Sequence, residues 1–82
     1  MKDLALITKP GCHLCDVAMA MLGPLGEELG FRVREVGTDS PEAAVITAGG
    51  APLPYVPVLV DGDRVLASGR ITEADVRAAL TP

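Results

Sequence analysis

The segment Lys9-Pro10-Gly11-Cys12-His13-Leu14-Cys15 holds the only two cysteines of the chain, spaced C-x-x-C. Before it lies the apolar run Leu4-Ala5-Leu6-Ile7, which reads as a strand. From Leu14 onward, apolar residues recur every three or four positions, which reads as a helix. A strand that feeds a helix through so short a Pro-Gly link restricts the chain to an α/β unit. It also puts the first thiol at the helix N-terminus. There, unpaired backbone N–H groups and the helix dipole stabilise a thiolate. A thiolate is the nucleophile of disulfide exchange, so the position points to redox chemistry. A spacing of three brings the second thiol close enough to close a disulfide with the first.

The rest of the pattern extends this unit. Met1 to Ile7 is expected as strand one, unbroken and so suited to a buried central position. Leu14, Ala18, Met21, Leu22, Leu25 and Leu29 are expected to form one apolar face of helix one. Gly23-Pro24 interrupts that helix. Pro24 lacks an N–H and its ring crowds the Ala20 carbonyl, so a kink or a restart is expected there. Gly30 is the expected stop. Phe31 to Val36 alternates as strand two. Ser40-Pro41-Glu42 opens a short helix two, which runs to about Ala48 and stops at Gly49-Gly50. The proline-rich loop Ala51-Pro52-Leu53-Pro54-Tyr55 leads into strand three, Val56-Pro57-Val58-Leu59-Val60. Asp61-Gly62 signals a hairpin. Arg64-Val65-Leu66-Ala67 is strand four. Thr72-Glu73-Ala74-Asp75 is a capping box that opens helix three, with Val76, Ala79 and Leu80 facing inward.

The expected order is βαβαββα. A right-handed crossover makes strands one and two parallel, and the hairpin makes strands three and four antiparallel. The expected fold class is α/β: a four-stranded mixed sheet flanked by helices, the minimal thioredoxin fold, in a single domain over residues 1–82.

Charge and hydropathy narrow the partners. The net charge is −4 with no Lys/Arg cluster. That argues against nucleic acid and anionic membrane surfaces. No apolar run approaches the roughly 20 residues that span a bilayer. Lys2 and Asp3 precede only a short apolar stretch, so no signal peptide is expected. One adjacent cysteine pair is not the disulfide framework of a small secreted domain. A cytoplasmic monomer is expected.

Three features together resemble a known family: the Lys9 to Cys15 motif, the Val56-Pro57 step and the Asp61-Gly62 hairpin. Over essentially its whole length the chain resembles a glutaredoxin-like member of the thioredoxin superfamily. It is most similar to the short bacterial glutaredoxin-like proteins with a P-G-C-H-L-C motif. The resemblance implies a small dithiol–disulfide oxidoreductase. Cys12, at the N-cap or first position of the helix and partly exposed, is then the nucleophile. Cys15, one turn deeper, is the resolving thiol. Pro57 is implied to be cis, to face the thiols and to block metal binding at the thiolate. The Val56 backbone is implied to pair with a bound peptide-like thiol. Lys9 is implied to contact the glutathione carboxylate and to assist the thiolate. No cofactor is implied beyond an external thiol or reductase. The implied partner is a protein disulfide or a low-molecular-weight thiol.

The chain departs from that family pattern in three places. Tyr55 stands before Val56-Pro57, where threonine is usual. Leu14 stands between the cysteines, where an aromatic residue is usual. Ala67-Ser68-Gly69-Arg70 stands where Gly-Gly-x-Asp usually holds the glutamyl end of glutathione. Weak or absent glutathione selectivity follows as an expectation.

The residues also admit other readings. Cysteines are often small buried apolar residues, Lys9 is also an ordinary solvated lysine, and Pro57 also fits an edge strand. His13 reads either as a cationic imidazole that raises the reduction potential or as an exposed first-turn residue. A single C-x-x-C supplies two thiolates where zinc usually takes four ligands, and a helical turn would point His13 away from them. The alternative function is a non-catalytic thioredoxin-fold adaptor, or a metal or iron–sulfur carrier, acting through the same cysteines and shared across a dimer in the cluster case.

Overall fold

The computed structural model describes residues 2–48, 56–62 and 64–80. Among these the elements are β1 (Lys2–Thr8), α1 (His13–Leu29), β2 (Phe31–Gly37), α2 (Pro41–Ala48), β3 (Val58–Asp61), β4 (Arg64–Ser68) and α3 (Glu73–Leu80). The strands form one sheet in the order β2-β1-β3-β4. β1 and β2 run parallel, from Lys2 opposite Phe31 to Thr8 opposite Gly37. β3 runs antiparallel to β1 and to β4. This is the expected α/β order and mixed sheet, consistent with a minimal thioredoxin fold.

Both faces of the sheet are covered, which is why β1 shows no polar alternation. Side chains on a strand alternate between faces. Leu4 and Leu6 pack on one side with Ala18, Leu22 and Leu25 of α1 and Val76 of α3. Ala5 and Ile7 pack on the other with Val36, Val58, Val60 and Ala43 of α2. α3 is further tied to α1 by Arg77, whose guanidinium pairs with Glu73 at 2.8 Å and with Glu28. Those hydrogen bonds, Glu73 first, push its pKa further above the ordinary arginine value. Among the described residues no helix is long and apolar enough to cross a membrane.

The local punctuation works as the residue types dictate. Gly30 caps α1 in the left-handed region at φ 81°, and its N–H donates to the Gly26 carbonyl. Ser40 Oγ accepts from the Ala43 N–H at 3.2 Å and caps α2. Thr72 and Asp75 exchange side-chain-to-backbone bonds at the start of α3. Gly26 is buried where α1 crosses β2. A Cβ there would lie 2.6 Å from the Phe31 carbonyl oxygen, so only glycine fits this crossing.

Three expectations are corrected. α1 does not restart at Gly23-Pro24; it runs unbroken with Pro24 inside it. Leu22 and Leu25, on either side of the proline, are both buried in the same cluster, so packing on both sides of the proline offsets the lost hydrogen bond. Leu14 and Leu29 are not on the buried face; each is 39% exposed. They lie one turn before Ala18 and one turn after Leu25, at the two ends of the buried stretch of α1. β3 begins at Val58 rather than Val56. Pro57 has no N–H to give a ladder, and its carbonyl accepts instead from the Gly69 N–H at 2.9 Å. The strand start at Met1, the helix stop at Gly49-Gly50 and the loop Ala51 to Tyr55 lie outside the described residues.

Candidate redox site

β1 ends at Thr8, and Lys9, Pro10 and Gly11 link it to α1. Gly11 adopts φ 75°, the left-handed conformation that turns the chain from sheet into helix and that favours glycine. Cys12 follows as the N-cap of α1, in an extended conformation (φ −93°, ψ 107°). Its carbonyl accepts from the Asp16 N–H at 3.3 Å. Its Sγ accepts from the Cys15 N–H at 3.1 Å, the role a serine or aspartate oxygen fills at an ordinary N-cap.

Cys12 and Cys15 are joined as a disulfide, with their Cα atoms 5.2 Å apart. The two sulfurs are not equivalent. Cys12 is half-buried and Cys15 is 2% exposed, packed beneath the first turn. An incoming sulfur reaches Cys12 and is shielded from Cys15. His13 is the first residue of the helix and is exposed, as is Leu14.

The sheet register gathers the other sequence candidates at the same end. Ile7 lies opposite Val58, so the Val56–Pro57 step enters where the Lys9–Gly11 link leaves. The Val56–Pro57 peptide bond is cis. Pro57 is buried, and Val56 is half-buried against the cluster of Ala5 and Ile7. Gly69, which donates to Pro57, adopts φ 70°, and Arg70 follows it exposed to solvent. Lys9 is exposed and makes no ion pair with a described residue. It lines a cleft of about 430 Å³ with Thr8, Pro10, Gly11, Asp16, Glu35, Gly37 and Asp39.

Of the residues that line this cleft, Lys9 alone was a sequence candidate. Thr8 is buried, and its hydroxyl donates to Glu35 Oε2 at 2.9 Å. A threonine closing an apolar strand just before the motif was a visible signal, but its partner lies 27 residues away on a neighbouring strand. Asp16 stands in the first turn of α1. An acid in a first helical turn is a common start signal, which concealed its place one turn from Cys12. Among the described residues, no three His, Cys, Asp or Glu side chains gather into a group that could hold a metal ion.

The chain matches none of the curated proteins with which it was compared. It does match a family model: the glutaredoxin-like domain (DUF836) aligns with residues 3–81, a span that takes in β1 from its second residue, the C-x-x-C turn and all of α3. By fold, by motif and by this match over nearly its whole length, the chain belongs to the glutaredoxin-like domain (DUF836) family.

Proposed function

We propose that the protein is a small dithiol–disulfide oxidoreductase in which Cys12 attacks and Cys15 resolves. One observation carries this reading: the asymmetry of the pair. Cys12 is a half-exposed N-cap whose sulfur receives a helix N–H, whereas Cys15 is buried one turn below. Helix-terminal N–H groups favour the thiolate at the first position, and burial withholds the second thiol from outside reactants.

The reaction runs in two exchanges. The Cys12 thiolate attacks one sulfur of a substrate disulfide. A Cys12–substrate S–S bond forms, the substrate S–S bond breaks, and the leaving sulfur departs as a thiolate that takes up a proton from water. Cys15 then gives up its proton and attacks the Cys12 sulfur. The Cys12–Cys15 bond forms and the second substrate sulfur leaves. Two electrons have passed to the substrate. An external thiol or reductase returns them by the reverse chemistry.

In this reading Lys9 offers its ammonium to an anionic group of the partner, and the Val56 backbone with Pro57 lines the seat of the incoming sulfur. His13 lies at the solvent rim. The partner is a protein disulfide or a low-molecular-weight thiol, and the protein works in the cytoplasm as a one-domain monomer in electron transfer between thiols.

The deciding experiment is equilibration of the pair against thiol–disulfide buffers of defined potential. A two-electron transition within roughly −270 to −180 mV, the span of thioredoxin, glutaredoxins and disulfide isomerase, is expected. A pair that exchanges with no buffer, or protein purified anaerobically with stoichiometric iron or zinc, would overturn the redox reading in favour of a carrier.

A further inference from the structure

We infer that Asp16 sets the charge of the disulfide that Cys12 accepts, favouring cationic partners over anionic ones. The inference rests on Cys12 being the attacking thiol. Asp16 stands in the first turn of α1, four residues after the N-cap Cys12. The turn is closed by the Asp16 N–H donating to the Cys12 carbonyl at 3.3 Å. The Asp16 carboxylate is exposed, makes no ion pair with a described residue and lines the cleft beside Pro10 and Gly11.

The other walls of that cleft carry the same sign. Glu35 of β2 stands there, fixed by the Thr8 hydroxyl at 2.9 Å, and Asp39 follows β2. Lys9 is the only cation among the lining residues, so three carboxylates stand against one ammonium. The titratable and charged groups nearest Cys12 along the chain and at this end of the sheet are Cys15, His13 and Asp16 on α1, Lys9 on the link and Arg70 after β4, while Glu35 and Asp39 line the cleft that Gly11 and Asp16 share. Of these, Asp16 is the acid on α1, one turn from Cys12.

Two effects follow from a fixed negative charge one turn from the nucleophile. It opposes the thiolate, working against the helix terminus. It also repels an anionic group flanking the attacked disulfide and attracts a cationic one. At about 6 Å in water, one unit charge moves an equilibrium or a rate about threefold. Asp16 is thus a tuning residue, which acts through Cys12 and through the charge of the partner.

The test measures rates of mixed-disulfide formation on Cys12, in a Cys15→Ser background. Three small disulfides serve as probes: cationic cystamine, neutral hydroxyethyl disulfide and the anionic disulfide of mercaptoacetate. Each rate is divided by that of mercaptoethanol with the same disulfide, which removes intrinsic reactivity. The cationic-to-anionic ratio is expected to exceed one, to fall by up to about ninefold in Asp16→Asn, about threefold from each probe in opposite directions, and to be kept in Asp16→Glu. It is also expected to shrink in 1 M salt, where the screening length is about 3 Å. The apparent Cys12 pKa should fall by about half a unit in Asp16→Asn. The neutral disulfide should then react about twofold faster below that pKa, because a less basic thiolate is a weaker nucleophile and offsets part of its larger population. A ratio that neither the Asn substitution nor salt moves would overturn this inference alone. Failure of Cys12 to react with all three disulfides would overturn the redox reading and this inference with it.

Discussion

The backbone N–H of Cys15 donates to the Sγ of Cys12 across 3.1 Å. The donor belongs to the buried cysteine and the acceptor to the half-exposed one. The bond is present while the sulfurs are joined. On reduction, the same N–H points at a sulfur that can carry a full negative charge, and charge-assisted bonds are roughly twice as strong as neutral ones.

Cys12 is therefore expected to titrate below the unperturbed cysteine value of about 8.5. The stability sign follows. A group whose pKa is lower folded than unfolded stabilises the reduced protein above about pH 8.5, and loses that contribution as pH falls through the folded pKa. Thiolate absorbance against pH in Cys15→Ser, which leaves Cys12 as the lone thiol, gives the value. A midpoint at or above about 8.5 would show that the helix terminus does not activate this sulfur.

The two cysteines should also separate by product. Cys12→Ser is expected to abolish exchange with a small disulfide. Cys15→Ser is expected to accumulate a mixed disulfide on Cys12, because no second thiol remains to release it. Intact-mass spectrometry after incubation reads both. An adduct that forms readily on Cys15 in the Cys12→Ser protein would reverse the assigned roles.

Much of this architecture is legible in local chemistry. The Ser40 cap, the Thr72–Asp75 box, the Gly30 stop and the Asp61-Gly62 hairpin each depend on residues within one turn of each other. The thiol at the helix start is legible for the same reason. What stayed hidden is set by partners distant in sequence. Pro24 carries a strong local stop signal, yet α1 continues because Leu22 and Leu25 are anchored to the same cluster. Leu14 and Leu29 flank the buried stretch of α1, and helical periodicity does not encode how far along a helix burial extends. The Thr8–Glu35 bond needs the β1–β2 register, and nothing near either residue states it.

Gly26 gives a test of the packing where α1 turns into β2. Alanine is the better helix former, so an isolated helix would gain from the change. Here the added Cβ would meet the Phe31 carbonyl oxygen at 2.6 Å and the Phe31 ring at 3.2 Å. Overpacking of this kind typically costs 1–3 kcal/mol, which outweighs a propensity gain of about 1 kcal/mol. Gly26→Ala should lower the denaturation midpoint in urea with little change in slope. An unchanged or raised midpoint would mean that α1 and β2 can part without cost.

The small thiol partner is the last expectation. In glutaredoxin-like chains with the Gly-Gly-x-Asp end, backbone and carboxylate hold the glutamyl part of glutathione. Here Ala67 and Ser68 are strand residues of β4, and the Gly69 N–H already donates to the Pro57 carbonyl. Arg70 follows, exposed, and a guanidinium binds carboxylates but not an amine. Lys9 is left as the cation for the glycyl carboxylate, and it shares its cleft with Asp16, Glu35 and Asp39. A lost hydrogen bond to a charged group costs about 1.5–3 kcal/mol, or ten- to over a hundredfold. Turnover of a glutathionylated peptide, with glutathione as reductant, is therefore expected to be slow and little changed by Lys9→Ala. A protein disulfide with basic flanking residues is expected to react faster with the same protein. Efficient, Lys9-dependent deglutathionylation would show that the remaining contacts suffice and that the Gly-Gly-x-Asp end is dispensable here.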